Sequence, residues 1–251
     1  MLRMALLATA LLLPAIATAQ PARGFYVDVG AGANIANDLL SSNETTKVST
    51  DLGPVGLVGL GWRYGNGLRT EIEGSYRTND VSGIATRRVN GALLPLGNAG
   101  GSARTYAIMA NIAYDIPFQP FGLPLQPYVG AGVGYGWLDF NNANGDGYGT
   151  FALPQGNSYT GPTVVSFGSA GAFAYQAIVG ASLPLRILPG LEATLEYRFF
   201  GMARADVPVD RMAANQTNLI NGAVPSFATH NGFEVHDNAI LIGLRYTFGG
   251  R

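Results

Sequence analysis

Between residues 68 and 77 polar side chains recur at every second position, four of the five charged: Arg69, Glu71, Glu73, Ser75 and Arg77. The same spacing puts Glu192, Glu196 and Arg198 on one side of the stretch 191–201, Arg245 on one side of 238–248, and Asp28 on one side of 24–33. Three chemistries fit such a set. Two carboxylates on one face, Glu71 and Glu73, could act as the acid and base of glycoside hydrolysis. Acids and arginines along one path could line a pore. Alternatively they could neutralise one another as a packed plug, because an unpaired buried charge costs several kcal/mol.

Other residue patterns carry less. Gly130, Gly132, Gly134 and Gly136 suggest a phosphate-cradling loop, but their period is two throughout and no helix pattern follows. Small inward residues opposite bulky ones fit a packed barrel interior better. Asn142, Asn144 and Asp146 resemble the start of a calcium loop, yet the twelfth position is Leu153 and only one ligand is a carboxylate. A flexible outside loop is the expectation there. His230 and His236 are the only histidines; Ser226 lies near the first and Asp237 adjoins the second. Adjacent residues in a strand face opposite ways, so His236 and Asp237 form no ready dyad. No catalytic residue, metal ligand or cofactor is assigned.

Composition narrows the setting for these residues. The chain has 251 residues and no cysteine, which removes disulfides and thiolate metal sites. Charged residues make up 12%, against roughly 25% in soluble proteins. Glycine, at 35 residues, is about twice its usual share of roughly 7%. The net charge of −1 gives no sign of a nucleic-acid partner. The start reads as a secretory signal: Arg3, an apolar run to Ala17, and a small-residue cleavage site at Ala17-Thr18-Ala19. Residues 1–19 are therefore expected to be removed, leaving a single domain over 20–251. No Cys follows the site, so no lipoprotein anchor is expected. Beyond the signal no apolar run is long enough for a membrane helix. A secreted, glycine-rich, weakly charged chain can still cross a membrane as a closed barrel, which pairs every backbone group internally.

The alternation supports that. Asn238, Ile240, Ile242, Leu244, Tyr246 and Phe248 share one face; Ala239, Leu241, Gly243, Arg245 and Thr247 share the other. Similar two-faced stretches are predicted at 24–33, 54–64, 68–77, 104–116, 126–138, 173–183 and 191–201. The connections between them alternate long and short. The long ones are polar, at 34–51, 78–101, 139–169 and 202–237; the short ones lie at 65–67, 117–124 and 184–190. Gly65-Asn66-Gly67 is tight-turn chemistry. Aromatics gather near strand ends, among them Trp62, Tyr64, Tyr76, Tyr106, Tyr114, Trp137, Tyr197 and Phe199, as in interfacial girdles. The expected fold is all-β: an eight-stranded antiparallel up-and-down transmembrane barrel with short periplasmic turns and four long extracellular loops. Its interior would be just wide enough for side chains to fill. Asp28, Arg69, Glu71, Glu73, Arg77, Glu192, Glu196, Arg198 and Arg245 then form a lumen cluster, either a structural ion-paired plug or the lining of a small channel. A sugar would not fit. The loops could bind a host or phage partner.

The first strand from Gly24 to Gly32, the block from Leu195 to Phe200 and the end from Asn238 to Phe248 together resemble the OmpA-like and opacity-type outer-membrane barrels. The resemblance spans the whole mature chain. It implies residence in the outer membrane of a Gram-negative bacterium, among its lipid and lipopolysaccharide. It implies that the aromatic-ended last strand, with Tyr246 and Phe248, is read by the barrel-assembly machinery; Gly249-Gly250-Arg251 after Phe248 departs from the usual ending. The peptidoglycan-binding domain that often follows OmpA-like barrels is not implied. Some small barrels of this kind modify lipid A with a histidine, but no spaced histidine–serine arrangement occurs here. The expected role is structural or surface-interactive, with a channel as the alternative.

Overall fold

A computed structural model describes residues 23–87, 93–118, 124–152, 158–213 and 226–249. The expected signal segment 1–19 lies outside the described residues. The described residues form twelve strands: β1 (Gly24–Ala36), β2 (Leu39–Leu40), β3 (Thr46–Thr50), β4 (Gly53–Arg63), β5 (Leu68–Arg87), β6 (Leu93–Pro95), β7 (Gly97–Asp115), β8 (Gln126–Ala152), β9 (Ser158–Phe167), β10 (Ser169–Pro184), β11 (Leu191–Ala213) and β12 (Ser226–Thr247).

Eight of them close a ring. β1 pairs β4, β4 pairs β5, β5 pairs β7 and β7 pairs β8. β8 pairs β10, β10 pairs β11, β11 pairs β12, and β12 returns to β1. Every pairing is antiparallel, so the ring is an up-and-down barrel with no free edge. At its tight end Gly65 and Gly67 take φ values of 81° and 89°, and Leu68 N–H donates to Asn66 Oδ1 at 3.1 Å. Side chains with φ in this region would be strained, which is why glycine brackets the turn.

The expected faces hold. Phe25, Val29, Val58, Leu60, Ile72, Ile108, Val133, Val179, Leu195, Ile240, Ile242 and Leu244 are exposed on the outside. Asp28, Arg69, Glu71, Glu73, Arg77, Glu196, Arg198 and Arg245 are buried inside. Trp62, Tyr64, Tyr114 and Phe248 stand exposed at the tight-turn end, and Tyr76, Tyr106 and Trp137 further along form an outer row.

The strand ends need correcting. The polar segments at 78–101, 139–169 and 202–237 are largely paired strand, because β5, β7, β8, β11 and β12 continue past their predicted ends. β9 fills the gap between β8 and β11. A span needs only about 9–11 residues, whereas β8 has 27 and β12 has 22. The excess stands above the membrane, where the outside of the barrel meets water rather than lipid. There the pattern inverts: Phe140, Val165, Phe167, Val207, Val209, Phe233 and Val235 turn inward and are buried, so an apolar-outward reading ends the strands too early. Residues 142–147 likewise belong to β8, not to a loop; Asn144 pairs Ser166, and Asp146 Oδ2 accepts from Asn98 Nδ2 at 2.8 Å. Among the described residues no group of acids and histidines is arranged to hold a metal ion.

Candidate functional site in the barrel lumen

Alternation along β1, β4, β5, β7, β8, β10, β11 and β12 aims every second side chain into one narrow space. In the half nearest the tight turns that space is a charged network. Arg245 lies at its centre: Nε and Nη2 donate to Asp28 Oδ2 at 2.9 and 2.6 Å, and Nη2 reaches Glu196 Oε1 at 3.5 Å. Arg63 grips Glu192 with two parallel bonds of 2.8 and 2.7 Å. Asp115 lies 3.0 Å from Arg69 Nε and 3.8 Å from Arg63. Arg198 bonds Glu196 Oε2 through Nε at 2.6 Å and Glu73 through Nη1.

Neutral groups complete it. Asn111 Nδ2 donates to Glu71 Oε1 at 3.2 Å and Glu73 Oε2 at 2.8 Å, while Gln176 Nε2 donates to Asn111 Oδ1 at 2.7 Å. The Tyr128 hydroxyl donates to Glu196. The rings of Tyr26 and Tyr128 lie beside both central arginines: Arg69 Cζ is 4.5 Å from the Tyr128 centroid, and Arg245 Cζ is 5.5 Å from Tyr26 and 5.1 Å from Tyr128. Cation–π contacts gain strength away from water. Glycines make room for these rings: a Cβ at Gly61 would lie 2.3 Å from Tyr26 Cζ, and one at Gly180 would lie 2.6 Å from Tyr128 Cζ. The ladder from Gly130 to Gly136 works the same way, since a Cβ at Gly132 would strike Asn111 Oδ1 and one at Gly134 would lie 2.8 Å from Met109 Sδ. A gap of about 10 Å³ remains among Tyr26, Arg69, Asn111, Tyr128 and Arg245, room for about one water.

Above this network the lumen changes character. Arg77 lies at the upper edge of the network, donating to Ser75 Oγ at 3.0 Å with its Cζ 4.0 Å from the Phe200 centroid. Beyond it Met109, Leu138, Phe140, Phe167, Phe200, Met202 and Phe233 belong to one buried apolar cluster. Phe140 and Phe233 lie 5.7 Å apart in an edge-on arrangement.

The structure thus brings together Asp28, Arg69, Glu71, Glu73, Glu192, Glu196, Arg198 and Arg245, and leaves Arg77 at the edge of this group, without an ion pair to any of them. It adds Arg63, Asp115, Asn111, Gln176, Tyr26 and Tyr128. Each of these has the inward parity of its strand, and that parity was the available signal. Choosing charges alone left out the neutral partners, and the strand-end positions of Arg63 and Asp115 hid their depth. The carboxylates Glu71 and Glu73 share Asn111 and face no open cleft. His236 and Asp237 do point opposite ways. His236 stacks beside Phe199 on the outer surface, with Nε2 3.4 Å from the Tyr175 hydroxyl, while Asp237 Oδ2 accepts from Asn34 Nδ2 at 3.2 Å inside.

Residues 4–248 match the family described as outer membrane protein beta-barrel domain. The chain belongs to that family. It is 34% identical to an outer membrane protein of Gluconacetobacter diazotrophicus over 98% of its own length, and spans 64% of that relative. It is 28% identical over 76% of its length to an uncharacterized protein of Brucella abortus, covering 67% of that one. Among solved structures it is similar to Neisserial surface protein A, at 17% identity and a TM-score of 0.46, covering 91% of this chain and 99% of that one. The protein is thus an outer-membrane β-barrel of a Gram-negative bacterium, with its tight turns on the periplasmic side and its extended strands outside.

Proposed function

We propose that this barrel is a closed structural and surface-display protein, without a conducting lumen and without catalysis. The observation that supports this is the double filling of the interior: an ion-paired layer below and an apolar layer above, in series along one axis. An ion entering from the periplasm would have to break arginine–carboxylate pairs and then cross a zone of phenylalanine and methionine, where nothing replaces its hydration. The role left to the molecule is on its outside: lipid-facing strands that anchor it in the envelope, and tall hairpins that present a rigid surface to the medium. Those hairpins are the place for a host or phage ligand. Tyr246 and Phe248 on the last strand, with Phe248 packed 5.7 Å from Phe25 across the seam, would serve the barrel-assembly machinery. Folding the chain into liposomes and measuring ion efflux tests the proposal. No efflux above empty vesicles is expected; steady efflux that changes with Glu73→Gln or Arg198→Gln would replace it with the channel reading.

A further inference from the structure

The outer surface holds a feature that the closed lumen does not explain. Where β4, β5, β7 and β8 run side by side, a shallow lipid-facing groove of about 530 Å³ runs along the surface of the barrel wall. Gly56 and Gly74 form its floor, and Tyr76, Tyr106, Ile108 and Trp137 stand around it. The three aromatics lie in one row, since Tyr76 pairs Tyr106 and Tyr106 pairs Trp137. That row is the outer girdle, so the groove opens toward the outer leaflet.

The two floor glycines differ from those inside. A Cβ at Gly74 would meet only Val58 Cγ1 at 4.0 Å, and one at Gly56 only Gly30 O at 3.9 Å. Neither has a positive φ. A larger apolar residue would fit at both, would suit a strand better and would cover more of the wall. Packing does not require glycine here, and its effect is to leave the groove open.

The next row outward supplies a charge. Arg104 follows Tyr106 on the same face, two residues nearer the outside, about 7 Å along the strand. It pairs Thr78 on β5 and Asp139 on β8. Arg104 is half-buried, and its Nε is covered with no hydrogen-bond partner. No ion pair links it to Asp139 or to any other described residue. A shallow apolar depression on the lipid-facing wall, rimmed on its outer side by interfacial aromatics and with an unpaired guanidinium one row beyond them, matches an amphiphile with an acyl chain below and a phosphate above.

We infer that this groove holds an acyl chain of a phosphate-bearing outer-leaflet lipid, with Arg104 on its phosphate. Gly56 and Gly74 admit the chain, the aromatic row fixes its depth, and Arg104 selects an anionic headgroup over a zwitterionic one. Asp139 on the same face weakens the site, so Asp139→Asn strengthens the selection.

The groove contains its own reporter. The chain has two tryptophans, and Trp62 stands at the opposite end of the wall, so Trp62→Phe leaves Trp137 alone. The full chain carrying that change is folded into phosphatidylcholine vesicles doped with lipid brominated in its acyl chains, and quenching of Trp137 is measured. Brominated phosphatidic acid should reach half-quenching at a mole fraction roughly fivefold lower than brominated phosphatidylcholine, the selection expected of one arginine at an anionic surface. Arg104→Gln should abolish the difference, and Gly74→Leu should bring both lipids to the same weak quenching. Gel mobility of the folded band confirms that each variant has formed its barrel. Equal quenching by the two lipids in the parent, or a preference that survives either substitution, overturns the inference.

Discussion

Arg245→Met is the most informative single change in the lumen. Arg245 is 1% exposed, and Asp28, at 2%, has its two hydrogen bonds from this one guanidinium. Methionine keeps most of the stem volume, so packing loss is small and the main effect falls on Asp28. Its carboxylate is left buried without a donor, while Glu196 keeps Arg198 and Tyr128, and Glu192 keeps Arg63. Removing one partner of a buried ion pair costs about 3–5 kcal/mol, which is roughly two to four powers of ten in the unfolding constant. Replacing both partners by apolar groups is often neutral, because the desolvation of two charges is avoided together. Asp28→Leu combined with Arg245→Met should therefore recover most of the loss. The assay is reversible denaturant unfolding in lipid vesicles, followed by Trp fluorescence, on the parent, both single variants and the double. A single variant costing less than about 1 kcal/mol, below the range for a broken buried pair, would refute the reasoning. So would a double variant no more stable than Arg245→Met.

The neighbouring residue tests the opposite face: Leu244→Arg places a charge against lipid and should cost about 2–4 kcal/mol in the same assay. Phe233→Ala removes a ring 5.7 Å from Phe140 and 6.2 Å from Phe167, and should destabilise the extracellular hairpins by about 3–5 kcal/mol. Hydrogen exchange should quicken in the outer halves of β8, β11 and β12 while the membrane halves stay protected. The Asp38 carboxyl is held below its usual range by the hydrogen bond from Lys47, 2.6 Å away. A lowered folded value means that this support is complete above the unfolded carboxylate pKa. It is lost as pH falls through the folded value, so protection of the small β2–β3 hairpin should fade only in acid. Protection that fades on the alkaline side of neutrality would contradict that sign.

Which way each residue faces in the membrane half was legible before any coordinates. Alternation is a local property of a strand, and lipid outside with a polar interior enforces it at every step, as the runs from Leu68 to Arg77 and from Asn238 to Phe248 illustrate. The tight turn at Gly65-Asn66-Gly67 and the even number of barrel strands follow from the same local chemistry. Three things needed the closed barrel. The strands run on outside the membrane because water replaces lipid there and the buried face changes sign, so Phe140 and Phe233 turn inward where Trp137 and Ile240 had turned out. The partners in the lumen depend on the register between strands far apart in sequence: Arg245 meets Asp28 across the seam where the chain's two ends join, and Arg63 meets Glu192 across the interior. No spacing along one strand encodes that. The groove is the third case, since Gly56, Gly74 and Arg104 lie on three different strands. A sequence states what each residue prefers to face; only closure of the ring decides which residues face one another.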